Sequence, residues 1–265
     1  MIARVGEIVM NFEIKGRGAP TTLISGMASD MSAWSLQVPS FTMNFMTICL
    51  ENRGTGQTDA PNRPYSIEMM ADDTAKLLEV IGADSSNLVG FGMGGRIALE
   101  MAIRHPTKVT GLVVSSCAPT ATESETELLT QLRSAIVEGA GRFEVAKREV
   151  NWTLSPKYFE DKRVAEGVIR ARMVRMSSTK DQAFLRQIDA ILDYDANGRL
   201  AQVRCPTMVL AGSRDRLVPP DSQSKMANAI PDAAFVTVDA AHMVLVEAAK
   251  DFNDNALGFL IEKGT

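Results

Sequence analysis

The chain has 265 residues, 45% hydrophobic and 23% charged, with a formal net charge of −4. That length suits one α/β domain with an insertion, or at most two small domains, around a sizeable core. An acidic pI near 5.4 and scattered basic residues argue against a nucleic-acid groove, and no apolar run reaches the ~18–20 residues of a membrane span.

In chain order, residues 7–14 and 21–25 read as strands joined by Gly16-Arg17-Gly18, which predicts an opening antiparallel hairpin. Another strand follows at 46–50. Over 66–81 the period becomes helical, with Ile67, Met70, Ala71, Thr74, Leu77, Leu78 and Ile81 on one face. Ser66 is placed to cap this helix and Gly82 to close it. An apolar strand at 87–90 turns sharply into a helix over 94–104, which His105-Pro106 stops. After a strand at 109–115 the pattern changes. Amphipathic helices are expected at 123–137, 142–151, 162–176 and 180–192, with no convincing strand among them. Strands return at 207–211 and 234–238, and a last helix is expected over 246–261.

Strands alternating with helices imply a mostly parallel central sheet with helices on both faces. Open sheets of this kind bind ligands at the carboxyl ends of their strands. The helical excursion is therefore expected to form an inserted cap there, spanning 119–200, with the core formed by 1–118 and 201–265.

The segment Gly90-Phe91-Gly92-Met93-Gly94 has the local design of a nucleophile elbow, G-x-S-x-G, in which a tight strand-to-helix turn thrusts a side chain over the sheet. Gly92 stands where that motif has serine. Gly90, Gly92 and Gly95 also satisfy G-x-G-x-x-G. A dinucleotide site needs an acidic residue about twenty positions on, and Val113-Val114-Ser115-Ser116-Cys117 supplies none.

Further blocks follow the same logic of loops after strands: Leu23-Ile24-Ser25-Gly26-Met27 with Trp34, Asn52-Arg53-Gly54-Thr55-Gly56-Gln57-Thr58-Asp59, Gly212-Ser213-Arg214-Asp215 with Val218-Pro219, and Ala241-His242-Met243. With the elbow, these blocks in this order resemble the α/β-hydrolase fold family over nearly the whole chain. The flavour is similar to the small capped enzymes of the 3-oxoadipate enol-lactonase and aminoacrylate-hydrolase groups.

The resemblance implies that His242 is the catalytic histidine and Asp215 its acid, in the chain order of that family. The acid would fix the imidazole tautomer and stabilise imidazolium. The oxyanion donors implied are the backbone N–H groups of Met27 and Met93, which do not depend on a serine. Gly92 excludes an acyl-serine route. In serine proteases loss of the nucleophile costs about 10⁶ in kcat, while binding and the oxyanion hole retain ~10³–10⁴ over water.

A His242–Asp215 dyad activating water is thus the leading expectation, on a small carbonyl, ester, lactone or enol compound. The alternatives are a lyase or decarboxylase using the same base, a silent ligand-binding shell, and a serine esterase deliberately changed to Gly92. Ser115, Ser116 and Cys117 are weighed as substitute nucleophiles and disfavoured, since nothing basic adjoins the thiol in sequence. Trp34 and Trp152 read as packing, His105 as a helix end and Arg53 as a loop anchor.

No cofactor and no metal are expected, because Cys49, Cys117 and Cys205 are isolated and His105 and His242 are the only histidines. Fifteen methionines read first as core filler, second as an adaptable pocket lining. The first ten residues lack signal-peptide features, so a cytoplasmic setting is expected. The partner expected is a small-molecule substrate, not nucleic acid or membrane, with a homodimer left open.

Overall fold

The computed structural model describes residues 1–264. Its strands are β1 (Ile2–Val5), β2 (Ile8–Lys15), β3 (Pro20–Ile24), β4 (Met46–Leu50), β5 (Ser86–Phe91), β6 (Val109–Ser115), β7 (Thr207–Gly212) and β8 (Ala234–Val238). They form one eight-stranded sheet in the order β1-β2-β4-β3-β5-β6-β7-β8. Pairing is parallel from β4 to β8 and antiparallel for β1 and β2 at one edge.

The helices are α1 (Val38–Phe41), α2 (Ile67–Val80), α3 (Met93–Arg104), α4 (Glu123–Val137), α5 (Arg142–Thr153), α6 (Lys162–Met176), α7 (Asp181–Asp193), α8 (Pro220–Ala229), α9 (Val244–Glu247) and α10 (Ala249–Lys263). The central strands are apolar on both sides, and the pleat sends alternate residues to opposite faces. Leu88, Leu112 and Val114 join one core, packed with α2 and α3. Val89 and Val113 join the other, which holds Trp34, Phe41 and Phe252. A sheet buried in this way on both faces needs the continuous apolar strands that the sequence supplies.

The expected hairpin between residues 7–14 and 21–25 is corrected. β4 lies between β2 and β3, pairing antiparallel with β2 and parallel with β3. β3 is flanked by two parallel neighbours, β4 and β5, so no edge is left for β2. The hairpin that opens the chain is β1–β2 instead. The expected last helix is broken at Ala248 (φ −133°, ψ 44°) into α9 and α10. Ser66 caps α2 by accepting from Met69 N at 3.2 Å, and Gly82 follows it in the left-handed region at φ 74°.

Between β6 and β7 the chain makes α4 to α7 before returning to pair beside the strand it left. Thr122 Oγ1 donates to Leu217 O at 2.7 Å and Tyr194 Oη to Glu100 Oε2 at 2.9 Å, tying both ends of this insertion to the sheet body.

Candidate active site

The loops that follow β3, β5, β7 and β8 carry Met27, Gly92, Asp215 and His242, all at the carboxyl ends of parallel strands. At the turn from β5 into α3, Gly92 adopts φ 56°, ψ −119°, a conformation costing on the order of 1–3 kcal/mol for a residue with a side chain. A Cβ placed on Gly92 meets nothing closer than Gly26 Cα at 4.0 Å, so the turn points into open space. Gly94 has a different reason to be glycine. A Cβ there would lie 2.0 Å from Ile24 O, so close strand–helix packing accounts for part of the glycine-rich pattern.

His242 is buried, and its Nδ1 lies 3.0 Å from Asp215 Oδ2. Asp215 Oδ1 accepts from Leu217 N and Val218 N, each at 2.9 Å. Gln223 is fully buried and adds a long contact to Oδ2 at 3.5 Å. Two backbone donors and the imidazole therefore fix the carboxylate. Burial opposes an imidazolium at His242, but the charge and hydrogen bond of Asp215 outweigh it, so the pKa is raised above the ordinary 6.5. The Phe91 ring packs edge-on against the imidazole at 5.3 Å. With Nδ1 engaged, Nε2 is the nitrogen left for chemistry.

His242, Gly92, Met27 and Met93 line one cavity of about 840 Å³ of empty space, open solvent at its mouth included. The N–H groups of Met27 and Met93 donate to no acceptor among the described residues. The structure thus brings His242, Asp215, Gly92, Met27 and Met93 together. Cys117 is not among the residues lining this cavity and packs against the position a Gly95 Cβ would take. Burial pushes its pKa up to about 12, so it is a structural thiol. Ser115 Oγ donates to Leu210 O and Ser116 Oγ to His242 O, and neither lines the cavity.

Sequence reasoning missed the groups that the insertion contributes. On α6, Arg172 Nη2 donates to Met27 O at 3.0 Å and Nη1 to Ala28 O at 2.8 Å, while Nε meets Glu149 of α5 at 2.9 Å. From α7, Gln187 Oε1 accepts Ala28 N at 2.8 Å. The peptide unit joining Met27 to Ala28 is therefore held at its oxygen by one helix and at its N–H by another. Ala28 itself sits at φ 46°. Arg172 and Arg175 share a face of α6, and Glu149 and Thr153 share one of α5. Polar pairs at three- or four-residue spacing beside apolar ones were the available signal. Trp34 is fully buried against Phe252, and Arg53 bridges to Asp73 through Nε at 2.7 Å and Nη2 at 2.9 Å. Among the described residues no group of three or more His, Cys, Asp or Glu could hold a metal ion.

A mostly parallel sheet with an elbow after its central strand, and a histidine and acid after later ones, defines an α/β hydrolase. The family model described as serine aminopeptidase, S33 matches residues 22–249, and the chain belongs to that α/β-hydrolase family. A protein of Azorhizobium caulinodans named as a carbamate hydrolase, RutD, is 28% identical over 97% of each chain. 3-Oxoadipate enol-lactonase 2 of Acinetobacter baylyi is 21% identical, over 93% of this chain and 91% of its own. The crystal structure of the enol-lactonase from Burkholderia xenovorans LB400 shares the fold at a TM-score of 0.90, with 23% identity over 98% of this chain and 100% of that one.

Proposed function

We propose that this chain is a hydrolase for a small ester, lactone, carbamate or enol ester in which water replaces the usual serine. The observation that carries the reading is the empty space at Gly92 beside a histidine still held by its acid. A water there attacks the carbonyl carbon while His242 Nε2 takes its proton. The carbonyl oxygen becomes an oxyanion and accepts hydrogen bonds from the free N–H groups of Met27 and Met93. Collapse of the tetrahedral intermediate breaks the bond to the leaving oxygen or nitrogen, which receives the proton from His242. The helical insertion acts as a cap that limits bulk water. Relatives named as hydrolases and lactonases support the reaction class. The cysteines of the described residues are free thiols, which suits a reducing cytoplasm, and no helix among those residues is long and apolar enough to cross a membrane.

The test is turnover of a panel of small esters, lactones, enol esters and carbamates by the wild type and by His242→Ala, in isotopically labelled water. Turnover that collapses in the variant, with label in the product acid, is the expected result. His242-dependent turnover without label would make the protein a lyase. No turnover by either protein, with ligands still raising Tm, would leave a binding shell.

A further inference from the structure

The charged groups around the cavity pair off, with one exception. Arg96 is fully buried and grips Glu125 through Nη1 at 3.0 Å and Nη2 at 2.7 Å. Arg172 is taken up by Glu149 and the carbonyls of Met27 and Ala28, and His242 faces Asp215. Arg175 lines the same cavity from α6 and is half-buried. Its backbone oxygen accepts from Ser178, but its guanidinium has no salt-bridge or hydrogen-bond acceptor among the described residues. Asp30, the acid whose charge it feels, is already engaged with Ser32 N at 2.9 Å and Ser32 Oγ at 2.5 Å.

A guanidinium held partly out of water gains when an anion meets it. Burial and the neighbouring Arg172 both press its pKa below the ordinary 12.5, so the protein itself offers the charge little relief. Three guanidiniums, of Arg96, Arg172 and Arg175, and two carboxylates, of Glu125 and Glu149, line the cavity, and Leu128, Leu129 and Ile191 supply an apolar wall.

We propose that Arg175 is the binding residue for one carboxylate on the substrate, so that the enzyme selects small monoanionic esters or lactones over neutral ones. The proposal deepens the hydrolytic reading and rests on this cavity being the active site. A guanidinium matches a carboxylate with two parallel donors. Glu149 Oε2, buried without a partner in the same cavity, disfavours a second negative charge, so a dianion fits less well.

The experiment compares monomethyl glutarate, dimethyl glutarate and glutarate by calorimetric titration at neutral pH and low salt. The probes differ chiefly in charge. The monoester is expected to bind about tenfold or more tightly than the diester, the range of a charge-assisted hydrogen bond pair. The preference should vanish in Arg175→Gln, return in part in Arg175→Lys, and survive in Arg163→Gln, an exposed position on the same helix. Melting curves of each variant check that the fold is kept. Equal affinity for monoester and diester, failure of the monoester to bind, or a preference that persists in Arg175→Gln overturns the proposal. Turnover of the same esters, scored separately against His242→Ala, tests the catalytic reading, so either can fail alone.

Discussion

At Gly92 a side chain is missing, but the space for one is not. The turn keeps φ 56°, ψ −119° and an open approach, so Gly92→Ser should restore a nucleophile beside His242. The expected outcome is a stability loss of about 1–3 kcal/mol from the strained backbone, with a burst of nitrophenolate from p-nitrophenyl acetate that His242→Ala abolishes. A folded Gly92→Ser protein with no burst would mean that the imidazole does not reach the elbow. His242 makes a second prediction, through its raised pKa. A group whose pKa is higher folded than unfolded adds stability that is fully present below the unfolded value, about 6.5. That stability is lost as pH rises through the folded pKa. Urea unfolding of the wild type minus that of His242→Gln should therefore show a benefit that shrinks above pH 6.5. A difference that grows with pH would contradict the assignment. In the proposed mechanism the neutral imidazole is the base, so the rate limb should rise at a pH above 6.5, and Asp215→Asn should move it down while cutting kcat by orders of magnitude.

Among the elements, the insertion reaches the loops that follow β3 and β8. Arg172 from α6 and Gln187 from α7 hold the two ends of the Met27–Ala28 peptide unit, and Met243 N donates to Thr153 O at the end of α5 at 3.1 Å. The loops carrying Met27 and His242 are thus positioned from outside the sheet. Arg172→Met strands Glu149, whose side chain is 13% exposed, and should cost about 3 kcal/mol. Adding Glu149→Leu should recover much of it. A double-mutant cycle by chemical denaturation checks this, and a coupling near zero would show that the pair is not a unit. With the Met27 loop loosened, turnover by Arg172→Met should fall in kcat more than in KM. None of these ties was legible in the sequence, because each joins separate elements through tertiary packing, and those that reach the two loops join residues 90 or more positions apart. What was legible is local. The bounds of β4, β6 and α4 follow from apolar period and turn chemistry, and Gly92, Asp215 and His242 were singled out through the resemblance to α/β-hydrolase motifs, each just after a strand. The partner of β2 was misread for the same reason. A short glycine link specifies proximity in sequence, while pairing is decided by which strands have free edges. β1, at the sheet edge with only Val5 buried, has too little apolar pattern to announce itself.

For the molecule as a whole, the cavity has a rigid floor and a loosely anchored roof. Every residue of β5 and β7 is buried, whereas in the fifteen residues of α6 only Ile169 and Met176 are. An element with few buried apolar contacts opens below the global unfolding free energy. Amides of α6 should therefore exchange through a sub-global opening about a hundredfold or more faster than those of β5, as native-state hydrogen exchange would show. That opening would free Arg172 and Arg175 together, so it must dismantle the proposed anion site along with the hold on Met27. Linkage then fixes the effect of a ligand. If monomethyl glutarate binds only the closed form, saturation at 100 times its Kd adds about 2.7 kcal/mol to the opening of α6. It adds the same amount to global unfolding, since both transitions release the ligand. Slowing of α6 and β5 by equal factors is the expected result. Slowing confined to β5 would show that the site survives the opening of α6, and that the floor alone binds the substrate.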